Sequence, residues 1–244
     1  MRILETKQVS KHFGGLIAVN QVSMHIEQGD VVGLIGPNGA GKTTLINAIS
    51  GLNPPTMGKV VMFGEDTTGL APEKMCRKGL SRTFQIPRPF PKMTALESVM
   101  TAAIFGNPPG RVKDPMEHSH KMLSFVEFPL PETTVSEKLN TVQLKRLDLA
   151  RALASHPKLL FLDELASGLS EGELNDLMKI IRKISDIGIS ILMIEHIMQL
   201  IMQVCNRLVC IQFGNKIAEG STAEVANDPR VAKAYLGDSE DCPT

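Results

Sequence analysis

The run Gly36-Pro37-Asn38-Gly39-Ala40-Gly41-Lys42-Thr43-Thr44 constrains the fold of this chain more than any other segment. Its first eight residues match the phosphate-loop pattern G-x-x-x-x-G-K-[ST]. They stand directly after the apolar run Val31 to Ile35 and directly before a helical pattern that starts near Lys42, which is the context the pattern requires. Glycines there let backbone N–H groups converge on phosphate oxygens, at a helix start whose dipole favours anions. Lys42 brings charge to the β- and γ-phosphates, and Thr43 a hydroxyl to Mg²⁺, an ion that takes oxygen ligands in octahedral geometry. Gly36 to Thr44 are the candidate nucleotide-binding residues. The competing reading, a glycine-rich turn with an exposed lysine, leaves the strand–loop–helix order unexplained.

A second run, Leu159-Leu160-Phe161-Leu162-Asp163-Glu164, reads as a buried strand ending in two carboxylates. A strand end beside a phosphate loop is where a metal ion and an attacking water need acids. Asp163 is assigned to Mg²⁺, through water. Glu164 is assigned to the attacking water, as its general base or as the group that orients it. Alone, the run would read as a core strand meeting solvent.

Strand-like runs alternate with helical patterns around both motifs, and Ile191 to Ile194 adds a third strand with a helix after His196. Such alternation predicts an α/β fold: a phosphate-loop, RecA-like core built on a parallel sheet. Leu4 to Ile26 predicts an antiparallel β edge turning at Gly14 and Gly15, and Ser81 to Phe84 a further strand. From Glu171 to Ser185, Leu174, Leu177, Ile180, Ile181 and Ile184 fall on one helical face behind a capping box of Ser170 and Glu173. Thr94 with Glu97 and Ser221 with Glu224 predict two more capped starts. Strand signals fade from about Pro87 to Ala154, where Pro and Gly cluster at Asn107 to Gly110, so 87–154 is expected as an α-helical insertion. The expected partition is one domain with its core at 1–86 and 155–244, ending in an extension from about 221 to 244.

Lysine plus arginine (26) equals aspartate plus glutamate (26), so net charge points to neither nucleic acid nor an anionic lipid surface as main partner. Cys76, Cys205, Cys210 and Cys242 have neither zinc-site nor CxxC spacing and read as reduced thiols. The start of the chain lacks a signal-peptide pattern, and no apolar run approaches the roughly 18–20 residues of a membrane span. The chain is expected in the cytoplasm, reaching a membrane only through a partner.

The segments KHFGGLIAVNQVS, GPNGAGKTT, SRTFQIPRPFPKMTALESV, LARAL followed by PKLLFLDE, IEH before Ile197, and IAEGSTAEVANDPRVAKAYLG together span nearly everything from Leu4 to Gly237. In these the chain resembles the ATP-binding subunits of ABC transporters, and more closely the group serving branched-chain amino acid importers. The resemblance implies ATP and Mg²⁺ as ligands and an ATPase at the cytoplasmic face of the membrane. It implies as partners transmembrane permease subunits, a second related ATPase and, indirectly, an extracytoplasmic solute-binding protein, with no nucleic acid. It also places Phe13 against adenine, makes Gln85 a Mg²⁺-sensing residue that also contacts the membrane partner, and makes His196 the switch histidine near the γ-phosphate. The solute it suggests is a branched-chain amino acid or a related small polar molecule such as urea or an amide. His12, His25, His118, His120 and His156 show no constellation and read as structural or surface residues.

Three positions depart from the family. Where it carries LSGGQ this chain has Leu139-Asn140-Thr141-Val142-Gln143, which lacks the serine and both glycines. Ser170 stands in place of an acid, and Ile197 follows the histidine where many relatives carry aspartate. In the family each phosphate loop faces the signature of the opposite subunit. Asn140 to Gln143 would therefore cover the partner's nucleotide, with Asn140 or Thr141 as the available partial substitute, and a heterodimer with unequal sites is expected over a homodimer. Two alternatives remain: a nucleotide-binding structural subunit with little hydrolysis, and a soluble ABC-type ATPase of DNA repair or translation.

Overall fold

The computed structural model describes residues 1–106 and 112–236. The Asn107 to Gly110 cluster, Cys242 and the end of the expected C-terminal extension lie outside the described residues. The chain opens with β1 (Arg2–Phe13), β2 (Leu16–Glu27), β3 (Val31–Ile35), α1 (Lys42–Ile49), β4 (Met57–Met62) and β5 (Glu65–Asp66). Then come α2 (Pro72–Arg77), β6 (Leu80–Arg82), α3 (Ala95–Phe105), α4 (Pro115–Phe125), α5 (Thr141–Ala154), β7 (Leu159–Asp163) and α6 (Glu171–Asp186). It closes with β8 (Ser190–Ile194), α7 (Met198–Val204), β9 (Arg207–Gln212), β10 (Asn215–Ser221), α8 (Thr222–Ala226) and α9 (Pro229–Leu236). Two compact units result, Met1–Ala71 with the chain from Leu192 onward, and Pro72–Ile191, so the chain passes between them within β8. The expected helical segment 87–154 lies wholly inside the second unit.

In the first unit β1 pairs antiparallel with both β2 and β4, and β4 with β5. The β1–β2 register shifts between Thr6 and Val9, and Gln8 and Gln21 adopt positive φ of 49° and 47°, as bulged strands do. This is the antiparallel edge expected from Leu4 to Ile26. Its partners β4 and β5 went unseen in the sequence. β3 runs parallel to β9, Val32 opposite Arg207 and Ile35 opposite Cys210, and β9 pairs antiparallel with β10. All five residues of β3 are buried, as a parallel strand covered on both faces requires.

In the second unit β6 runs parallel to β7. β6 ends at Arg82, two residues short of the expected Phe84. The amide of Thr83 still reaches the carbonyl of Phe161 (2.9 Å), but that of Phe84 turns to the Asp148 carboxylate (3.1 Å). All three expected capping boxes form, at Thr94, Ser170 and Ser221. The five apolar residues expected on one face of α6 are all buried, joined by Met178. Each contributes about 1.5–3 kcal/mol by leaving water. Among the described residues no helix is long and apolar enough to cross a membrane.

Candidate active site

In the first unit the chain leaves β3 through a loop that only glycine can build. Gly36, Gly39 and Gly41 have φ of 144°, 77° and 102°. A Cβ on Gly36 would lie 2.0 Å from the Ile211 carbonyl oxygen, and one on Gly41 2.3 Å from that of Ala18. Lys42, almost fully buried, donates from Nζ to the carbonyls of Gly36 (2.6 Å) and Pro37 (2.8 Å), so its ammonium sits over the loop. Gly41 caps α1 without a side-chain hydrogen bond, and no acid stands in the first turn. The helix start thus presents backbone N–H groups and a positive dipole end to an anion. Asn38, Gly39 and Thr43 are exposed, Pro37 and Thr44 half-buried, and Ala40 buried. The Gly36 amide donates to the hydroxyl of Tyr235 on α9 (2.8 Å). Phe13 closes β1 half-exposed, with Lys11 Nζ 5.2 Å from its ring centre. His196 is exposed two residues beyond β8, on a different element from Phe13.

In the second unit Gln85, Asp163 and Glu164 come together. Asp163, the last residue of β7, is buried. Its Oδ2 accepts from Arg82 Nη2 at 2.9 Å, and its amide donates to Thr83 Oγ1 at 3.3 Å. Burial lowers the Arg82 pKa and the Asp163 carboxylate opposes the shift; a guanidinium stays charged either way. Glu164 follows at φ 50°, a left-handed conformation that costs a non-glycine residue about 1–3 kcal/mol. Gln85 Nε2 donates to Glu164 Oε2 at 2.5 Å. The carboxylate that could take a proton from water is therefore oriented by a neutral amide. Phe84 is flanked by the guanidinium carbons of Arg82 and Arg88, 4.7 and 5.5 Å from its ring centre.

Asn140 caps α5. Its Oδ1 accepts from the Gln143 amide and the Gln143 side chain accepts from the Asn140 amide, each at 2.9 Å. Two side chains of the altered signature, those of Asn140 and Gln143, are thus engaged in the helix's own capping box, an N-x-x-Q pattern legible in the sequence but not used there. Further along α5, Asp148 is buried. Burial raises its pKa, opposed by Arg151, the Phe84 amide and Arg82.

Sequence reasoning missed Arg82, Lys145 and Tyr235 as supports of these groups. Tyr235 had one signal, being the only tyrosine in the chain. The histidine reading needs correction at two positions: His118 and His156 stack with ring centres 4.2 Å apart, and His118 Nε2 lies 3.2 Å from the Ala154 carbonyl oxygen. Thirty-eight residues separate them in sequence, so local pattern could not pair them. Burial pushes Cys205 up to about 12 and Cys210 up to about 11, so neither is a thiolate nucleophile.

Residues 19–167 match the ABC transporter family model, and residues 215–241 the model for branched-chain amino acid ATP-binding cassette transporters. Among curated proteins, the high-affinity branched-chain amino acid transport ATP-binding protein BraF of Pseudomonas aeruginosa is 38% identical, covering 97% of this chain and 98% of its own length. A probable branched-chain amino acid transport ATP-binding protein of Archaeoglobus fulgidus is 35% identical over 98% of each. Among solved structures, a nucleotide-free ATP-binding cassette from an ABC transporter superposes with a TM-score of 0.88 at 31% identity, over 98% of this chain and 100% of that one. Another cassette, in its ADP conformation, gives 0.86 at 32% identity over 98% and 100%. This chain therefore belongs to the ATP-binding cassettes of ABC transporters, in the group of the branched-chain amino acid transport ATP-binding proteins, and is an ATP-hydrolysing subunit that energises a membrane importer.

Proposed function

We propose that the imported solute is a branched-chain amino acid, with urea or a short amide as the neighbouring chemistry, and that Glu164 is the group that activates water for ATP hydrolysis. The solute rests on what the relatives' names say of those proteins. The hydrolytic role rests on one observation above the others, the Gln85–Glu164 hydrogen bond at the end of the acidic strand. Lys42 and the backbone N–H groups of Gly39, Gly41, Lys42, Thr43 and Thr44 bind the phosphates, and Phe13 stacks on adenine. Water attacks the γ-phosphorus as its proton passes to Glu164, and the bond to the β-phosphate oxygen breaks to leave ADP and phosphate. His196 senses the γ-phosphate. The Thr43 hydroxyl of the first unit, and the Asp163 carboxylate and Gln85 side-chain oxygen of the second, are each the hard oxygen donor that Mg²⁺ takes, and Mg²⁺ when bound would neutralise phosphate charge.

The same reading places the chain peripherally on the cytoplasmic face of the membrane, beside permease subunits and a second ATPase. The helical segment 87–154 carries motion from Gln85 to the permease. With Asn140 and Gln143 engaged in their own cap, the site they cover in the partner is the weaker one, and a heterodimer is favoured. Two experiments test these points. Uptake of leucine, isoleucine, valine, urea and acetamide into proteoliposomes holding the assembled transporter should favour the amino acids, and uptake of none of them would overturn the solute. Sedimentation of Glu164→Gln with ATP should show a complex with the second ATPase and little self-association; a self-dimer whose wild-type form hydrolyses ATP at the assembled rate would remove the unequal sites.

A further inference from the structure

Lys145 is a charged residue on the wrong side of its helix. It lies on the buried face of α5, four residues before Leu149, and is 6% exposed. An ammonium in such a place is costly unless its three donors are met. Nζ donates to the carbonyls of Ser167 (2.5 Å) and Leu165 (3.0 Å), with that of Glu164 at 3.4 Å. All three acceptors belong to the segment that begins with the left-handed Glu164. One turn further along α5, Asp148 accepts from the amide of Phe84, the residue before Gln85. One helix thus holds the backbone on both sides of the Gln85–Glu164 hydrogen bond, and the same helix begins at the altered signature Asn140 to Gln143.

We infer that Lys145 is a positioning residue for hydrolysis: by drawing the carbonyls of residues 164–167 onto its ammonium it holds Glu164 in the strained conformation that meets Gln85. The inference rests on the reading of Glu164 as the water-activating group. Non-glycine left-handed backbone persists only where its surroundings over-determine it, and Lys145 supplies that constraint from a second element. Glu164 is not among the groups that bind the phosphates, so nucleotide affinity should survive the loss of the ammonium while turnover should not.

The test is steady-state ATP hydrolysis by the assembled transporter carrying Lys145→Met, which keeps the aliphatic stem, and Lys145→Arg, which keeps the charge, with folding followed by far-ultraviolet circular dichroism. Lys145→Met should lower kcat at least tenfold with KM for ATP changed less than twofold, and Lys145→Arg should recover kcat to within about threefold of wild type. In a Glu164→Gln background Lys145→Met should add no more than a twofold loss, because the lysine acts through Glu164. If Lys145→Met does not fold, Lys145→Gln takes its place under the same expectations. A folded variant lacking the ammonium yet turning over within twofold of wild type would overturn the inference, as would an equal further loss in the Glu164→Gln background. Full turnover by Glu164→Gln alone would instead overturn the underlying reading of Glu164, so the two failures are distinguishable.

Discussion

Replacing Arg82 with methionine leaves the Asp163 carboxylate buried without its guanidinium. The two side chains are 9% and 4% exposed and meet at 2.9 Å, so water cannot take over the lost contact. Breaking such a pair costs about 3–5 kcal/mol, against about 0–1 kcal/mol for a surface pair. The Arg82 guanidinium carbon also lies 4.7 Å from the centre of the Phe84 ring, and losing that stacking adds about 0.5–1 kcal/mol. The expected loss is roughly 3.5–6 kcal/mol, or roughly 7–24 °C in Tm for a chain of this size. The chain has no tryptophan, so unfolding is best followed by far-ultraviolet circular dichroism. Adding Asp163→Asn to Arg82→Met removes the stranded charge and should recover at least half of the loss. A single variant within about 1 kcal/mol of wild type, or a double variant no more stable than the single one, would refute the buried-pair account.

Other contacts predict smaller effects. Tyr235→Phe removes the acceptor of the Gly36 amide, a bond of about 0.5–1.5 kcal/mol, so KM for ATP should rise about twofold to tenfold with kcat unchanged; unchanged KM would detach α9 from the phosphate loop. Ser170→Ala should lower Tm by about 2–4 °C through loss of the cap, whereas Ser170→Asp, which caps equally well, should not. Burial holds His118 below its ordinary value of 6.5, with the Ala154 carbonyl opposing and Lys121 assisting. Above pH 6.5 both folded and unfolded states are neutral there. As pH falls below 6.5 the unfolded chain takes the proton first, so stability should decline as pH drops below that value, and His118→Gln should flatten that decline in urea titrations.

The features legible in the sequence are those whose physics is local. The phosphate loop is defined within nine residues, a capping box within four, and the buried face of α6 by spacing alone, so Gly36 to Thr44, Ser170 with Glu173, and Leu174 to Ile184 could be placed from the chain. What escaped depends on partners distant in sequence. Tyr235 meets Gly36 across 199 positions, and Arg82 meets Asp163 across 81. β4 shows no regular alternation, with three exposed residues before Val60, so its pairing with β1 left little trace. Lys145 was invisible for a different reason. A lysine reads as a solvated position, and only the converging carbonyls of Leu165 and Ser167 make it a buried one.

The central claim, that this chain hydrolyses ATP to energise import, is tested most directly by solute-stimulated, Mg²⁺-dependent ATP hydrolysis in proteoliposomes containing the full transporter. The wild-type chain should turn over ATP in step with solute uptake, and Glu164→Gln should bind ATP with both activities lost from its own site. Uptake that continues undiminished when this chain carries Glu164→Gln, or tight ATP binding with no Glu164-dependent turnover in any assembly, would contradict the account and leave the chain a structural partner of another ATPase.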